Sequence, residues 1–319
     1  MVAATRSTQV KRQHPVVTKV PMPTAIRIVH TTRYRYSQPV LFGPHRLLLR
    51  PRDGHDLRLV SSAISISPAA RLRWHFDPFG NSVATCAFSD ASRLLEIRSE
   101  LLVRRFSHED FLASPDRQGR AYPFDYDSDV HTDLAAFIAL ENPHEAAGLA
   151  HWLDQVIGSR PDEVLALLRH LSDTINSNIN YLRRERSGTQ SALTTIELGS
   201  GSCRDFAFLF MEAARHSGFA ARFVTGYLND VSDDGQEHEG GGSTHAWAEI
   251  YLPDEGWVEF DPTNRIVGSS ALIRVAVTRT PQQAIPVSGT YEDQPGISYC
   301  GMDVDVQVRS EPYNPQDGD

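Results

Sequence analysis

The sequence predicts an α+β protein in which a β-rich, sandwich-like region precedes a mixed region of helices and antiparallel strands. Three observations predict it. Between Ile26 and Phe106 apolar residues recur with period two. From residue 132 to Leu182 the period becomes helical. One amphipathic run then begins at Cys203 and is followed by strand-like runs that reach Asp261.

Taken in order, residues 1–24 are polar, hold three prolines and lack periodicity, which predicts a disordered tail. In residues 25–106, Leu72, Trp74 and Phe76 alternate with Arg71, Arg73 and His75, and Ile64 and Ile66 alternate with serines. Leu95, Ile97, Leu101 and Val103 share one parity, and Asp77-Pro78-Phe79-Gly80-Asn81 is a strong turn. Such alternation predicts an antiparallel sheet or sandwich with one wet face.

Residues 107–131 are polar and read as a connector. Residues 132–141 then predict one helix, and Pro143 suits the first turn of the next. Pro161-Asp162-Glu163 opens a longer helix carrying Val164, Leu168, Leu171, Ile175, Ile179 and Leu182 at helical spacing. The change of period divides the chain near residue 107. An N-terminal β-rich domain takes residues 25–106, and a second domain takes residues 107–319 with a C-terminal strand.

Within the second domain, Arg186 to Ser202 predicts a loop. A helix runs from Cys203 to Ser217, with Phe206, Leu209, Phe210 and Ala213 as its stripe and Gly218 as its stop. Strands follow at Arg222–Leu228, Thr244–Leu252 and Trp257–Asp261. The acidic, glycine-rich stretch from Asn229 to Ser243 predicts a flexible loop. Val304, Val306 and Val308 alternate as a last strand.

Composition excludes some classes. A net charge of -9 over 319 residues argues against a general nucleic-acid or anionic-membrane binder. No stretch supplies the roughly 20 apolar residues that cross a bilayer. The N-terminus lacks the apolar core of a secretory signal, so the default address is the cytoplasm. Cys86, Cys203 and Cys300 are an odd, sparse set that fits a reducing compartment without disulfides. No cysteine or histidine cluster has zinc-site spacing, and neither a metal nor a cofactor is called for. Oligomeric state is not legible.

The chemistry concentrates at Gly199-Ser200-Gly201-Ser202-Cys203. A glycine-bearing turn leads into a helix whose first turn carries a cysteine. Unpaired N–H groups and the helix dipole there stabilise a thiolate and an oxyanion. The same segment is equally that of a small apolar residue buried at a helix start. Cys86, in a strand, and Cys300, after a loop, have no helix start or nearby base and read as non-catalytic. A thiolate nucleophile needs a base, and the base needs an acceptor to orient it. His245 opens one strand, and Asp261 ends the next across the Pro253-Asp254-Glu255-Gly256 turn. A surface histidine and an Asp-Pro turn fit those positions too.

Residues 201–228, from Gly201 through Cys203 to Leu228, resemble the cysteine-helix segment of the transglutaminase-like superfamily. Residues 244–264, from Thr244 to Asn264, resemble its histidine and aspartate strands. The three blocks stand in the family's order, and the steps from 203 to 245 and from 245 to 261 are compatible. Residues 30–52 and 77–83 resemble the N-terminal region that accompanies many bacterial members. The similarity covers about residues 26 to 309. One departure lies at Thr278-Arg279-Thr280-Pro281, where relatives usually carry a Gly-Arg-Asp run. The departure bears on substrate contact there.

The resemblance implies a papain-like core, with the nucleophile helix on an antiparallel sheet. It implies Cys203 as nucleophile, His245 as base and acid, and Asp261 as the group orienting His245. The implied reaction is acyl transfer on amide bonds of peptides or proteins through a thioester. Hydrolysis is the favoured outcome and transfer to an amine, as in a transglutaminase, the alternative. A non-catalytic peptide-binding module is the competing class.

A four-residue turn pairing Leu252 with Trp257 would put His245 and Asp261 on opposite faces. The triad then requires a bulge or twist at a strand end. Lesser expectations concern Trp247 and Trp257 as shields or core, Gln190 as an oxyanion donor or a solvated side chain, and an Arg204–Asp205 ion pair. Glu237, His238 and Glu239 read as a solvated acidic loop before a cation site, and Glu259 is the substitute for Asp261.

Overall fold

The computed structural model describes residues 24–105, 120–158, 161–184, 188–229, 242–253, 255–269, 271–292 and 296–312. The expected N-terminal tail, most of the connector after residue 105 and most of the acidic loop after Asn229 lie outside the described residues.

The N-terminal region forms β1 (Thr24–Val40), β2 (Phe42–Arg50), β3 (Leu57–Ser67), β4 (Ala70–Phe76), β5 (Ser82–Phe88) and β6 (Ser92–Arg105). Then come α1 (Ser128–Ile138), α2 (Ala146–Ile157), α3 (Val164–Asn178), β7 (Asn180–Tyr181), α4 (Ala192–Leu198), β8 (Ser200–Gly201) and α5 (Cys203–His216). The chain continues through β9 (Ala221–Leu228), β10 (His245–Leu252), β11 (Gly256–Asp261), β12 (Ile266–Val267), β13 (Leu272–Thr278), β14 (Val287–Tyr291) and β15 (Tyr299–Pro312).

Two four-stranded sheets, ordered β15-β1-β6-β3 and β14-β2-β5-β4, make the expected sandwich. Tyr36, Leu95 and Ile97 from the first meet Phe42, Leu47, Leu49, Ala84 and Cys86 from the second. Alternation holds along β3, where Ile64 and Ile66 are half-buried between exposed neighbours, and gives way where β2 buries Leu47, Leu48 and Leu49 in succession. Along β4, however, Ala70 and Leu72 pack against this core, while Trp74 is 41% and Phe76 75% exposed. β4 is an edge strand, so it has a neighbour on one side only.

β14 and β15 close these sheets, although the division near residue 107 placed them with the second domain. The register joins Ile28 to Val308, His30 to Val306 and Thr32 to Val304. The valine alternation is that of a strand with one apolar face, and β1 supplies the unpaired edge it needs.

The second region holds a five-stranded antiparallel sheet, ordered β12-β11-β10-β9-β13. α5 lies on it, with α2, α3 and α4 packed around the helix. α5 is therefore buried nearly all round, from Asp205 to Arg215, and not along one stripe alone. Two of its buried charges, Glu212 and Arg215, satisfy each other and nearby backbone groups. Arg215 donates from Nη1 to Glu212 at 3.0 Å, from Nε to the Phe137 carbonyl, and from Nη2 to the carbonyls of Ala221 and Arg279. Glu212 accepts from the amides of Glu141 and Asn142. Buried charges persist when paired and hydrogen-bonded in this way. No helix among the described residues is long and apolar enough to cross a membrane.

β1 and β6 are long, 17 and 14 residues, and serve two cores. Ile26, Ile28, Leu101 and Val103 pack on Tyr227, Ile273 and Val275 of β9 and β13. At that junction His30 is buried. Its Nδ1 lies 3.0 Å from the Tyr227 hydroxyl and its Nε2 2.8 Å from the Thr32 hydroxyl. Burial lowers its pKa to about 4, with Asp305 opposing the shift. A depressed histidine is unprotonated when folded, so the unfolded chain binds the extra proton below pH 6.5. Stability from this group is complete above that pH and falls between 6.5 and about 4. Between pH 7 and 4.5 the wild type should lose about 2–3 kcal/mol more than His30→Gln. Denaturant titrations at both pH values test this, and parallel losses would refute it.

Candidate active site

α5 begins at a buried carboxylate. Asp205 Oδ2 accepts from the Ser202 amide, the Ser202 hydroxyl and Arg184 Nε, each at 2.8 Å. Its Oδ1 accepts from the Gln190 amide at 2.7 Å and Arg184 Nη2 at 3.0 Å. Five donors saturate the group. A Cβ on Gly201 would stand 2.7 Å from that of Asp205, so this glycine is required by the carboxylate's close approach. Cys203 thereby occupies the first helical position, directly after the Ser202 cap. Its side chain is buried, at the end of the helix where the backbone N–H groups have no intrahelical partners.

The expected Arg204–Asp205 pair does not form. Adjacent helix residues do not face each other, and Arg184 takes the carboxylate instead. Gln190, expected as an oxyanion donor or a solvated side chain, gives its side-chain amide to the Ser200 carbonyl at 3.0 Å.

The base and its acceptor come from the β10–β11 hairpin. The register pairs Leu252 with Gly256 and Ala248 with Phe260, one position away from the expected Leu252–Trp257 pairing. Gly256 has φ +75°, a left-handed conformation natural to glycine, which closes the hairpin with three loop residues and not four. This single shift puts Asp261 on the parity of Trp247 and His245. The change of parity sits in the turn, and no bulge at the strand end is needed.

His245 Nε2 lies 2.7 Å from Asp261 Oδ2, with both side chains fully buried. Asp261 Oδ1 accepts from the Thr263 amide at 2.9 Å, and Asn264 Nδ2 donates to Oδ2 at 2.8 Å. Asn264 was not singled out in the sequence, although Asp-Pro-Thr-Asn is a turn signature in which such side chains bond locally. The other ring nitrogen, Nδ1, is buried without a hydrogen-bond partner.

Burial disfavours the imidazolium, but the charge and hydrogen bond of Asp261, together with neighbouring Cys203, outweigh it and hold His245 well above its ordinary pKa. Burial would also raise Asp261, yet His245, Asn264 and Thr263 hold it below the ordinary value. The two directions agree on a buried ion pair.

Trp247 stacks near the imidazole, with centroids 6.1 Å apart and planes 29° apart. Gly226 makes room for it, because a Cβ there would meet the indole at 2.6 Å and the Ile273 carbonyl at 2.2 Å. Trp257 packs elsewhere, under the Arg222 guanidinium at 4.1 Å. Glu259 faces Glu249 across the hairpin and lies 3.5 Å from Arg274, so it serves a different charge cluster.

Cys86 is fully buried in the sandwich, where desolvation raises its pKa to about 11. Cys300 is exposed. At the Thr278–Pro281 departure, Arg279 pairs with Glu141, and Thr280 caps a short 3₁₀ turn, Pro281–Ala284. Glu237–Glu239 lie outside the described residues, and no group of metal-ligating side chains occurs among the described residues. An imidazole oriented by a carboxylate, with its second nitrogen open and a thiol at a helix start nearby, is suited to nucleophilic thiol chemistry.

Comparison with known proteins shows what this chain is similar to. Uncharacterized protein Rv2569c of Mycobacterium tuberculosis is 28% identical over 297 residues, which span 88% of this chain and 91% of the relative. Uncharacterized protein ML0607 of Mycobacterium leprae is 24% identical over 89% of this chain and 98% of its own. The fold is shared with the crystal structure of a candidate cysteine protease from Cytophaga hutchinsonii, at a TM-score of 0.68 and 18% identity. That match covers 92% of this chain and 94% of the other. Residues 26–104 match the bacterial transglutaminase-like N-terminal region, and residues 150–262 match the transglutaminase-like superfamily. The chain belongs to the transglutaminase-like superfamily, in the form that carries the bacterial N-terminal region ahead of the core.

Proposed function

We propose that the protein is a cysteine-dependent hydrolase of amide bonds in peptides or proteins. The observation that carries this reading is the buried His245–Asp261 pair at 2.7 Å, whose open imidazole nitrogen accompanies Cys203 at the start of α5. In the proposed reaction the Cys203 thiolate attacks the amide carbonyl. Backbone N–H groups at the helix start stabilise the oxyanion. The His245 imidazolium gives its proton to the leaving amine as the C–N bond breaks, and a thioester remains. His245 then takes a proton from water, hydroxide attacks the thioester, and the carboxylic acid leaves as the thiolate is restored. Asp261 orients and stabilises the imidazolium throughout.

Transfer to a lysine amine would use the same three residues. Hydrolysis is the proposal because water needs no dedicated acceptor channel. The proposed compartment is the cytoplasm, in keeping with cysteines that form no disulfide.

Cys203→Ala should abolish turnover and leave the fold intact, since it removes one sulfur atom from the packing. Peptide libraries followed by mass spectrometry, with and without added amines, read cleavage, deamidation and cross-linking together. Retained turnover, or a variant that unfolds, would sink the assignment.

Asp261→Asn should cost at least about tenfold in kcat/KM, and less than Cys203→Ala. Because Asp261 raises the pKa of His245, its loss must lower it. The alkaline limb of kcat/KM, set by loss of the imidazolium, should move to lower pH by more than about one unit. An unmoved limb would remove Asp261 from the proposed role.

A further inference from the structure

Most buried or half-buried arginines among the described residues have carboxylate partners. Arg184 is held by Asp205, Arg215 by Glu212, Arg222 by Glu249, and Arg274 by Glu249, Glu259 and Asp56. Arg204, like the half-buried Arg169 of α3, has none, and it follows Cys203 directly in the chain. Its side chain is half-buried on the second residue of α5, and among the described residues it makes no hydrogen bond or ion pair. The carboxylate next to it in the chain, Asp205, is saturated by five donors from Arg184, Gln190 and Ser202. The guanidinium lies within electrostatic reach of Cys203 and of a second cation, Arg184. Withdrawing an unpaired charge from water is costly unless an anion joins it. In a chain of net charge -9, two arginines against one committed carboxylate leave a local positive excess beside the thiol.

We propose that Arg204 is a specificity-determining residue that binds a carboxylate of the substrate close to the scissile amide. The inference rests on the reading of Cys203 as nucleophile and adds a substrate class: peptides whose cleaved bond is flanked by an acidic side chain or by the terminal α-carboxylate. A guanidinium suits either source, because its donors match the two oxygens of a carboxylate.

Alkylation of the full chain tests the site without any peptide. Iodoacetate and iodoacetamide differ by one carboxylate, and peptide mapping by mass spectrometry resolves Cys203 from Cys300, which is exposed and serves as the internal reference. The iodoacetate-to-iodoacetamide rate ratio should be at least about tenfold higher at Cys203 than at Cys300, and salt should lower it. Arg204→Gln should reduce the ratio to that of Cys300, whereas Arg204→Lys should retain most of it. A ratio at Cys203 that equals that of Cys300, or one that survives in Arg204→Gln, overturns the proposal.

Matched peptides then separate the two carboxylate sources. One pair ends in a free α-carboxylate or an amide after the cleaved bond, and the other carries Asp or Asn beside it. Arg204→Gln should lower kcat/KM at least about tenfold more for the charged member of one pair. Equal losses within both pairs would count against carboxylate recognition. If the wild type turns over no peptide, hydrolysis fails as the function, and the alkylation ratio still decides the role of Arg204.

Discussion

The start of α5 depends on one buried carboxylate. Asp205 draws Ser202, Arg184 and the Gln190 amide onto two oxygen atoms. Three separate segments thus meet at one point: the strand exit after Tyr181, the loop before α4, and the cap of the helix. Hydrogen bonds to a charged acceptor are worth roughly 1.5–3 kcal/mol each, and an unpaired buried charge is strongly disfavoured. The arrangement consequently has few alternatives. Cys203 becomes the first helical residue because the cap before it and the carboxylate after it are both committed. Gly201 is small because Asp205 occupies the space that its side chain would fill. Arg204 stays unpaired for the same reason, since its sequence neighbour has no lone pair left to offer.

Around that point the fold supplies rigidity from two directions. α5 is sunk between the five-stranded sheet and three helices, so its own charges, Glu212 and Arg215, had to be satisfied within the core. On the far side, β1 and β6 run past the sandwich and press Ile26, Ile28, Leu101 and Val103 onto β9 and β13. β9 is the strand that pairs with β10, opposite Gly226 and His245. The N-terminal region therefore braces the strand next to the histidine. β15 extends this brace by adding a further strand to the free edge of β1.

Much of this was legible in the sequence because it follows from periodicity. Alternation along β1–β6 and the helical stripe at Phe206, Leu209, Phe210 and Ala213 express burial directly. The two ends of α5, near Ser202 and Gly218, carry ordinary stop signals. What escaped was non-periodic or non-local. α4 has seven residues, two of them threonine, and was read as loop. It is held by Ser191, whose hydroxyl accepts from the Thr194 amide, and by Gly199 at φ +58°. The long helix ends at Asn178, before Ile179 and Leu182, because the chain there enters β7. The pairing of β15 with β1 joins residues separated by most of the chain, and no local pattern encodes it. Asn264 and Arg184 act through the partners that folding brings to them.

The hairpin shows how one residue type decides a site. Counting a four-residue turn from Pro253 to Gly256 sets His245 and Asp261 on opposite faces. The left-handed conformation of Gly256 makes it the first paired residue instead of the last loop residue. A one-residue slip reverses every side chain of a strand, so the slip is what brings the carboxylate to the imidazole. The same face then has to accommodate an indole at Trp247, and the strand opposite responds with Gly226, where any side chain would strike that ring. Two glycines, one in the turn and one in the neighbouring strand, therefore hold the imidazole between its carboxylate and the indole. Neither touches His245 through a side chain of its own, and both act through the register and the space they leave.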